Sequence, residues 1–338
     1  MLLCLFLLYI CCGILDASTV QKAWAHKCQI TNQMHDIRFT ETPAGSDSAG
    51  APVLCIHGFG GNADQYRKNV PRFAESGYNS FAFDLLGYGF SDKPDPKLFP
   101  LNALYNFDVW AEQTKDFVDE VIKEPAVLVC NSVGGLVGLQ TAAKYPDRVK
   151  GLVLINISLR MLHHRKQPAL QVPFTTALQT VLRETGIGKA FFKQVATPQT
   201  LKNILSQAYG NKEDVNDEIV DVILKPGLTP GAADVFLDFI SYSSGPLPED
   251  LFPQIDSTLC PIRLLWGEED PWEPIAMGKK LYAPFADEFV PLKGAGHCPM
   301  DQVSYISYSC RILSDSLTLH LHLLPTPTRL QKMLIERS

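Results

Sequence analysis

The chain has 338 residues, 46% of them hydrophobic, with 30 Lys and Arg against 36 Asp and Glu for a formal net charge of −6. That length and apolar content allow a large buried core, in one big domain or two small ones. The mild acidity, without any Lys/Arg-rich block, excludes the basic field that nucleic-acid binding needs.

In chain order, Met1 to Leu15 is an apolar run with no charge before Asp16, shorter than the about 20 residues of a membrane span. It matches the core of a secretory signal, with Ala23-Trp24-Ala25 as a small-x-small cleavage site, but lacks the basic residues that should precede it. Residues 1–25 are therefore read as lying outside the domain, with a secretory address and membrane association through the apolar run both open. Asp36 to Thr40 alternates as an early strand, and a Gly/Ser/Pro/Ala loop follows to residue 52. Val53 to Ile56 is a short, continuously apolar strand that ends in His57-Gly58-Phe59-Gly60-Gly61. The spacing predicts a helix over 62–76 stopped by Gly77, a buried strand over 79–84, and a helix over 106–123.

The stretch from Val127 to Leu139 reads as a buried strand, a tight turn at Ser132 and a helix, with Gly134 and Gly135 letting the helix pack close. This is the pattern of a nucleophile elbow, usually Gly-x-Ser-x-Gly, with Cys130 in the first place. Gly151 to Ile155 is one more buried strand. From about 159 to 255 only helices are predicted, near 172–184, 187–195, 198–208, 215–225 and 231–242. Strands resume at 262–266 and 288–292. Strands alternating with helices argue an α/β fold, a mostly parallel sheet covered on both faces, with the all-helical block as a lid inserted over one edge. The domain reading is a sheet core over 35–158 and 256–302, a lid over 159–255, and an atypical tail over 303–338.

In such sheets ligands sit beyond the carboxyl ends of the strands. Four strand ends carry groups suited to acyl transfer: Ser132; the backbone N–H groups of Phe59 and Val133, as an oxyanion pair; Asp270; and His297 in a Gly-rich loop. A serine hydroxyl needs a base such as imidazole, and the imidazolium needs a buried carboxylate. The order Ser132, Asp270, His297 supplies them. Asp270 could instead cap a helix begun by Pro271, leaving Glu268 or Glu269 as the acid. His57 is read as bracing the oxyanion turn and Asp84 as structural, while His163-His164 and His320/His322 are read as surface pairs and not metal ligands. Nine scattered cysteines without a Cys-x-x-Cys pair read as buried thiols of a reducing compartment, and no cofactor or metal is expected.

The set His57-Gly58-Phe59-Gly60, Asp84-x-x-Gly87-x-Gly89-x-Ser91, Asn131-Ser132-x-Gly134-Gly135, Gly267-x-x-Asp270-Pro271 and Gly296-His297-Cys298-Pro299 resembles the α/β-hydrolase superfamily. The wording is most similar to its plant plastid branch, the pheophytinase-like and chlorophyll dephytylase-like members, over about residues 35–302. The resemblance implies a serine ester hydrolase whose lid shapes an apolar acyl or alcohol pocket, with prenyl or phytyl-type esters as substrate and the chloroplast as address. After Asp301 the text departs from that family, which would continue into a final amphipathic helix. Gln302-Val303-Ser304 can spell a splice-donor consensus, so the tail is read as translated intron, the alternative being that Leu317 to Leu324 covers the sheet. Two functions stay open: a lipophilic-ester hydrolase, or a small-molecule-binding or inactive splice form on a hydrolase scaffold. Oligomeric state is not legible.

Overall fold

The computed structural model describes residues 18–45 and 50–302. The expectations for the apolar run Met1–Leu15, for His320/His322 and for the tail after Gln302 lie outside those residues. Eight strands form one sheet in the order β1-β2-β4-β3-β5-β6-β7-β8. These are β1 (Val20–Cys28), β2 (Gln33–Thr42), β3 (Val53–Ile56), β4 (Ser80–Phe83), β5 (Ala126–Asn131), β6 (Val149–Ile155), β7 (Ile262–Gly267) and β8 (Glu288–Leu292). From β4 to β8 every neighbouring pair is parallel, while the β1–β2 hairpin adds antiparallel strands at one edge.

The parallel strands are short runs of Val, Leu, Ile, Phe and Cys because both faces are covered. In β3, Leu54 and Ile56 join the core cluster that holds Trp110, Leu136 and Trp266, whereas Val53 and Cys55 join the opposite one with Tyr66, Phe73 and Leu265. The helices on these faces are α1 (Val70–Glu75), α2 (Phe107–Phe117) and α3 (Val133–Lys144). Between β6 and β7 lies the helical insertion: α4 (Val172–Glu184), α5 (Gly186–Val195), α6 (Pro198–Ala208), α7 (Asp217–Gly227), α8 (Ala232–Ile240) and the short α9 (Pro248–Leu251). Helix α10 (Ile275–Tyr282) then connects β7 to β8.

Three expectations are corrected. Residues 20–25 belong to the sheet: β1 pairs with β2 from Val20↔Glu41 to Cys28↔Gln33, so Ala23-Trp24-Ala25 is the middle of a strand. The edge position explains the miss, because among the described residues one flank of β1 is unpaired, and the strand buries only His26 and Cys28 fully, leaving a weak apolar signal. The helix expected over 62–76 is a 3₁₀ turn, Ala63–Tyr66, capped by Asn62, followed by α1 with Pro71 in its first turn. The helix expected over 106–123 changes to a π-helical turn at Val118–Ile122 and stops at Lys123 in the left-handed region, φ 68°.

Candidate active site

The parallel strands deliver their last residues to one edge. Ser132 follows β5 directly and opens α3, with φ 53° and ψ −118°, a conformation a non-glycine residue holds only under strain. The surroundings impose it. The Ser132 N–H donates to Ile155 O at 3.0 Å and its carbonyl accepts from Gly135 and Ser158. A Cβ on Gly134 would sit 2.5 Å from His57 O and 2.6 Å from Ile56 O, so only glycine lets α3 start this close to the end of β3. Cys130 is accommodated one helical turn on, where a Cβ on Gly138 would lie 2.7 Å from its Sγ. The residue that departs from the common elbow pattern therefore has its own compensating glycine.

The turn expected to hold an oxyanion follows β3. Buried His57 donates from Nδ1 to Gly58 O at 2.8 Å and accepts the Leu85 N–H at Nε2, 3.0 Å. Burial lowers its pKa to about 4, against the pull of the Gly58 carbonyl, so the ring is a neutral strut. Asp84, also expected to be structural, accepts Ala63 N–H at Oδ1 and Phe90 N–H at Oδ2, both at 2.7 Å, which fixes the two turns flanking His57. Among the described residues, neither the Phe59 nor the Val133 N–H is spent on an intramolecular hydrogen bond. Both remain available as donors.

On the other side of the rim, Asp270 and His297 meet directly, Nδ1 to Oδ2 at 2.7 Å. Glu268 and Glu269 are exposed and Asp270 is buried, so burial separates the three acids. Asp270 also caps, but it caps a turn: Oδ1 accepts the N–H groups of Trp272 and Glu273 at 2.9 and 3.0 Å, and the helix starts only at Ile275. Capping and imidazole contact use different oxygens, so the two readings coexist. The Trp272 ring stands edge-on to His297, centroids 4.9 Å apart. Among the described residues, the Ser132 hydroxyl makes no hydrogen bond to His297. Asn131, beside Ser132, donates to His297 O at 3.0 Å and to Ile155 O at 3.1 Å, which ties the elbow to the histidine loop.

Other contributors escaped the sequence reading. Asn156, at the end of β6 with φ 45°, donates to Asp270 Oδ2 at 2.6 Å and accepts the Gly267 N–H at 3.1 Å. A polar residue closing a buried strand was the available signal. Asp301 is buried and bonds Arg67 Nη1 at 2.5 Å and Tyr209 Oη at 2.7 Å, with its carbonyl on Lys68 Nζ at 2.8 Å. Burial pushes its carboxyl up while Arg67 pulls it down. Nothing local in sequence announces that clamp. His163, expected at a surface, is buried instead: it donates from Nε2 to Gly245 O at 3.1 Å and accepts the Arg165 N–H at Nδ1. It folds the first turn of the insertion back on its last. Cys28, Cys55, Cys130, Cys260 and Cys298 are buried free thiols.

The profile of the alpha/beta hydrolase fold matches residues 51–302. The chain belongs to the α/β-hydrolase family. It is 28% identical over 294 residues to chloroplastic pheophytinase of Arabidopsis thaliana, which covers 77% of this chain and 60% of that protein. It is 29% identical over 191 residues to 2-hydroxymuconate semialdehyde hydrolase of a Pseudomonas species, covering 56% of this chain and 58% of the relative. The chain thus spans about three fifths of the length of these relatives. A thermophilic esterase from Thermogutta terrifontis superposes with a TM-score of 0.65 at 20% identity, over 87% of this chain and 98% of the esterase. The family and fold expected from the strand-end motifs, including the pheophytinase-like wording, are those found. Within this family, Ser132, Asp270 and His297 occupy strand ends on one rim of the hydrolase sheet.

Proposed function

We propose that the chain is a serine hydrolase of lipophilic carboxylic esters, with Ser132 as nucleophile, His297 as base and Asp270 as the acid that orients it. The observation that carries the proposal is the buried 2.7 Å Asp270–His297 contact on the rim where Ser132 sits strained at its elbow. Asp270 holds Nδ1 protonated, which leaves Nε2 to take the Ser132 proton as Oγ attacks the ester carbonyl. The Phe59 and Val133 N–H groups receive the oxyanion. His297 returns the proton to the departing alcohol, and water, activated by the same ring, releases the acid from Ser132.

The substrate class follows from the insertion, which acts as a lid. A cavity of about 140 Å³ lies between it and the core, walled by Phe192, Val195, Leu201, Ile223 and Phe236, with Gly60 and Gly61 of the oxyanion turn on the core side. Phe59 bridges the two regions: its ring lies 5.2 Å from that of Phe236 and 5.5 Å from that of Phe239. An apolar acyl or alcohol chain, of the prenyl or phytyl type, suits such walls, and likeness to a chloroplastic pheophytinase supports a plastid address.

A fluorophosphonate probe followed by peptide mapping tests the nucleophile, with label expected on the peptide holding Ser132. Ser132→Ala should abolish label and the burst from a p-nitrophenyl ester, lowering kcat by a factor on the order of 10⁶. A protein that takes no label and gives no burst, yet binds a lipophilic small molecule tightly, is a binding protein on a hydrolase scaffold.

A further inference from the structure

We propose that Glu273 is a positioning residue that ties the start of the helical insertion to the Asp270–His297 pair and presents a second negative charge to the imidazolium. The inference rests on the serine-hydrolase reading above. Glu273 lies three residues beyond Asp270 and is buried. Its Oε2 accepts the N–H of Leu159, near the start of the insertion, at 2.9 Å. Its own N–H donates to Asp270 Oδ1 at 3.0 Å, and its carbonyl accepts Trp266 Nε1–H, at the end of β7, at 2.7 Å. One residue therefore joins the acid, a core strand and the first residues of the insertion. Lys166 grips Leu159 from its other side, Nζ to O at 2.6 Å, so that junction is held twice.

The groups facing Glu273 come from four directions. Asp270 lies on its own loop, His297 on the loop after β8, and the Ser158 hydroxyl beside Leu159. Tyr282 of α10 is the fourth, itself 3.2 Å from Glu249. Burial pushes the carboxyl up to about 7, opposed by the Leu159 N–H and by His297. A raised carboxyl ionises as pH climbs through that value, so the second charge is present above it and gone below it. Either form can accept the Leu159 N–H, so the tether persists while the charge changes. The carboxylate favours the imidazolium that forms when Ser132 gives up its proton.

Glu273→Gln keeps an oxygen for Leu159 and removes the charge. At about pH 8 its kcat on a p-nitrophenyl ester should fall about tenfold below wild type with KM nearly unchanged, and at about pH 5.5 the two should converge. A Gln variant equally impaired at both pH values, or impaired at neither, overturns the proposal. Glu273→Asp restores the charge and should recover most of the rate at about pH 8; an Asp variant that folds and stays as slow as Gln also overturns it. Should neither variant fold, the wild-type kcat profile decides. The partial, about tenfold effect of the second ionisation makes the acid limb steeper than one proton where the two ionisations overlap, and a limb that is nowhere steeper than one proton refutes the inference. A wild type with neither label on Ser132 nor ester turnover removes the hydrolase reading, and the proposal with it; turnover with the wrong pH behaviour removes the proposal alone.

Discussion

Around Ser132 the restraints are main-chain and come from the ends of neighbouring strands: the strained elbow hangs on Ile155 O, Gly135 N and a glycine pressed against His57 and Ile56. Around His297 they come from remote parts of the chain and include several side chains. The His297 N–H donates to Ala208 O at the end of α6, Asp301 is clamped by Arg67 and Tyr209, and Gln302 reaches Asp214 Oδ2 at 2.9 Å. Gly296 has no room for a side chain because Ala208 O fills the place. Two parts of the candidate site are thus built differently, Ser132 by the sheet and the His297 loop largely by the insertion. The histidine loop should follow any displacement of α6, whereas the elbow should feel it only through the Asn131 tie to His297.

The comparison can be broken at either end. After Ser132→Ala, the largest effect is expected at Asp270: Asp270→Asn keeps a capping oxygen but offers Nδ1 the wrong partner, and kcat should drop on the order of 10⁴-fold with folding retained. Stopped-flow kinetics beside circular dichroism would check it, and a variant that loses its fold would show Asp270 to be chiefly a cap. Next, Gly134→Val forces side-chain atoms onto two carbonyls of the sheet. It should cost at least about 3 kcal/mol by urea unfolding, since neither backbone can yield.

Asp301→Ala should sharpen the contrast. It leaves buried Tyr209 without its acceptor and strips one partner from Arg67, which keeps Glu218 at 2.5 Å. The expected loss is about 2–3 kcal/mol, with kcat reduced more than KM is raised, because the loop carrying the base is what loosens. An Asp301 variant with wild-type kcat would place the loop's anchorage elsewhere. The smallest effect is expected from Cys130→Gly, which restores the common elbow residue. Ester turnover should be unchanged and stability lower by about 1 kcal/mol, from a thiol-sized gap beside Gly138.

Much of this was legible beforehand because it is written in short-range patterns. Continuous apolar runs mark strands buried on both faces, and the glycines after Ser132 mark a close approach of backbone. Helical periodicity located the insertion helices to within about two residues, as at α4, α5 and α6. Of the edge hairpin, β2 was foreshadowed by the alternating Asp36–Thr40 stretch, but β1 was not legible, since an edge strand needs little apolar content. Asn156, Asp301 and Glu273 were not singled out either. Each is a polar side chain whose role is set by partners 114, 234 and 114 residues away, namely Asp270, Arg67 and Leu159.

By itself the sequence determined the family, the sheet and the order in which hydroxyl, carboxylate and imidazole occur, because strand and turn propensities act over a few residues. Only the tertiary structure decided which acid faces the ring and what holds that ring in place. Burial selected Asp270 over its two acidic neighbours, and a helix from the insertion supplied the carbonyl that fixes the histidine loop. Burial and long-range hydrogen bonds belong to the packed chain, and no local stretch of residues encodes them.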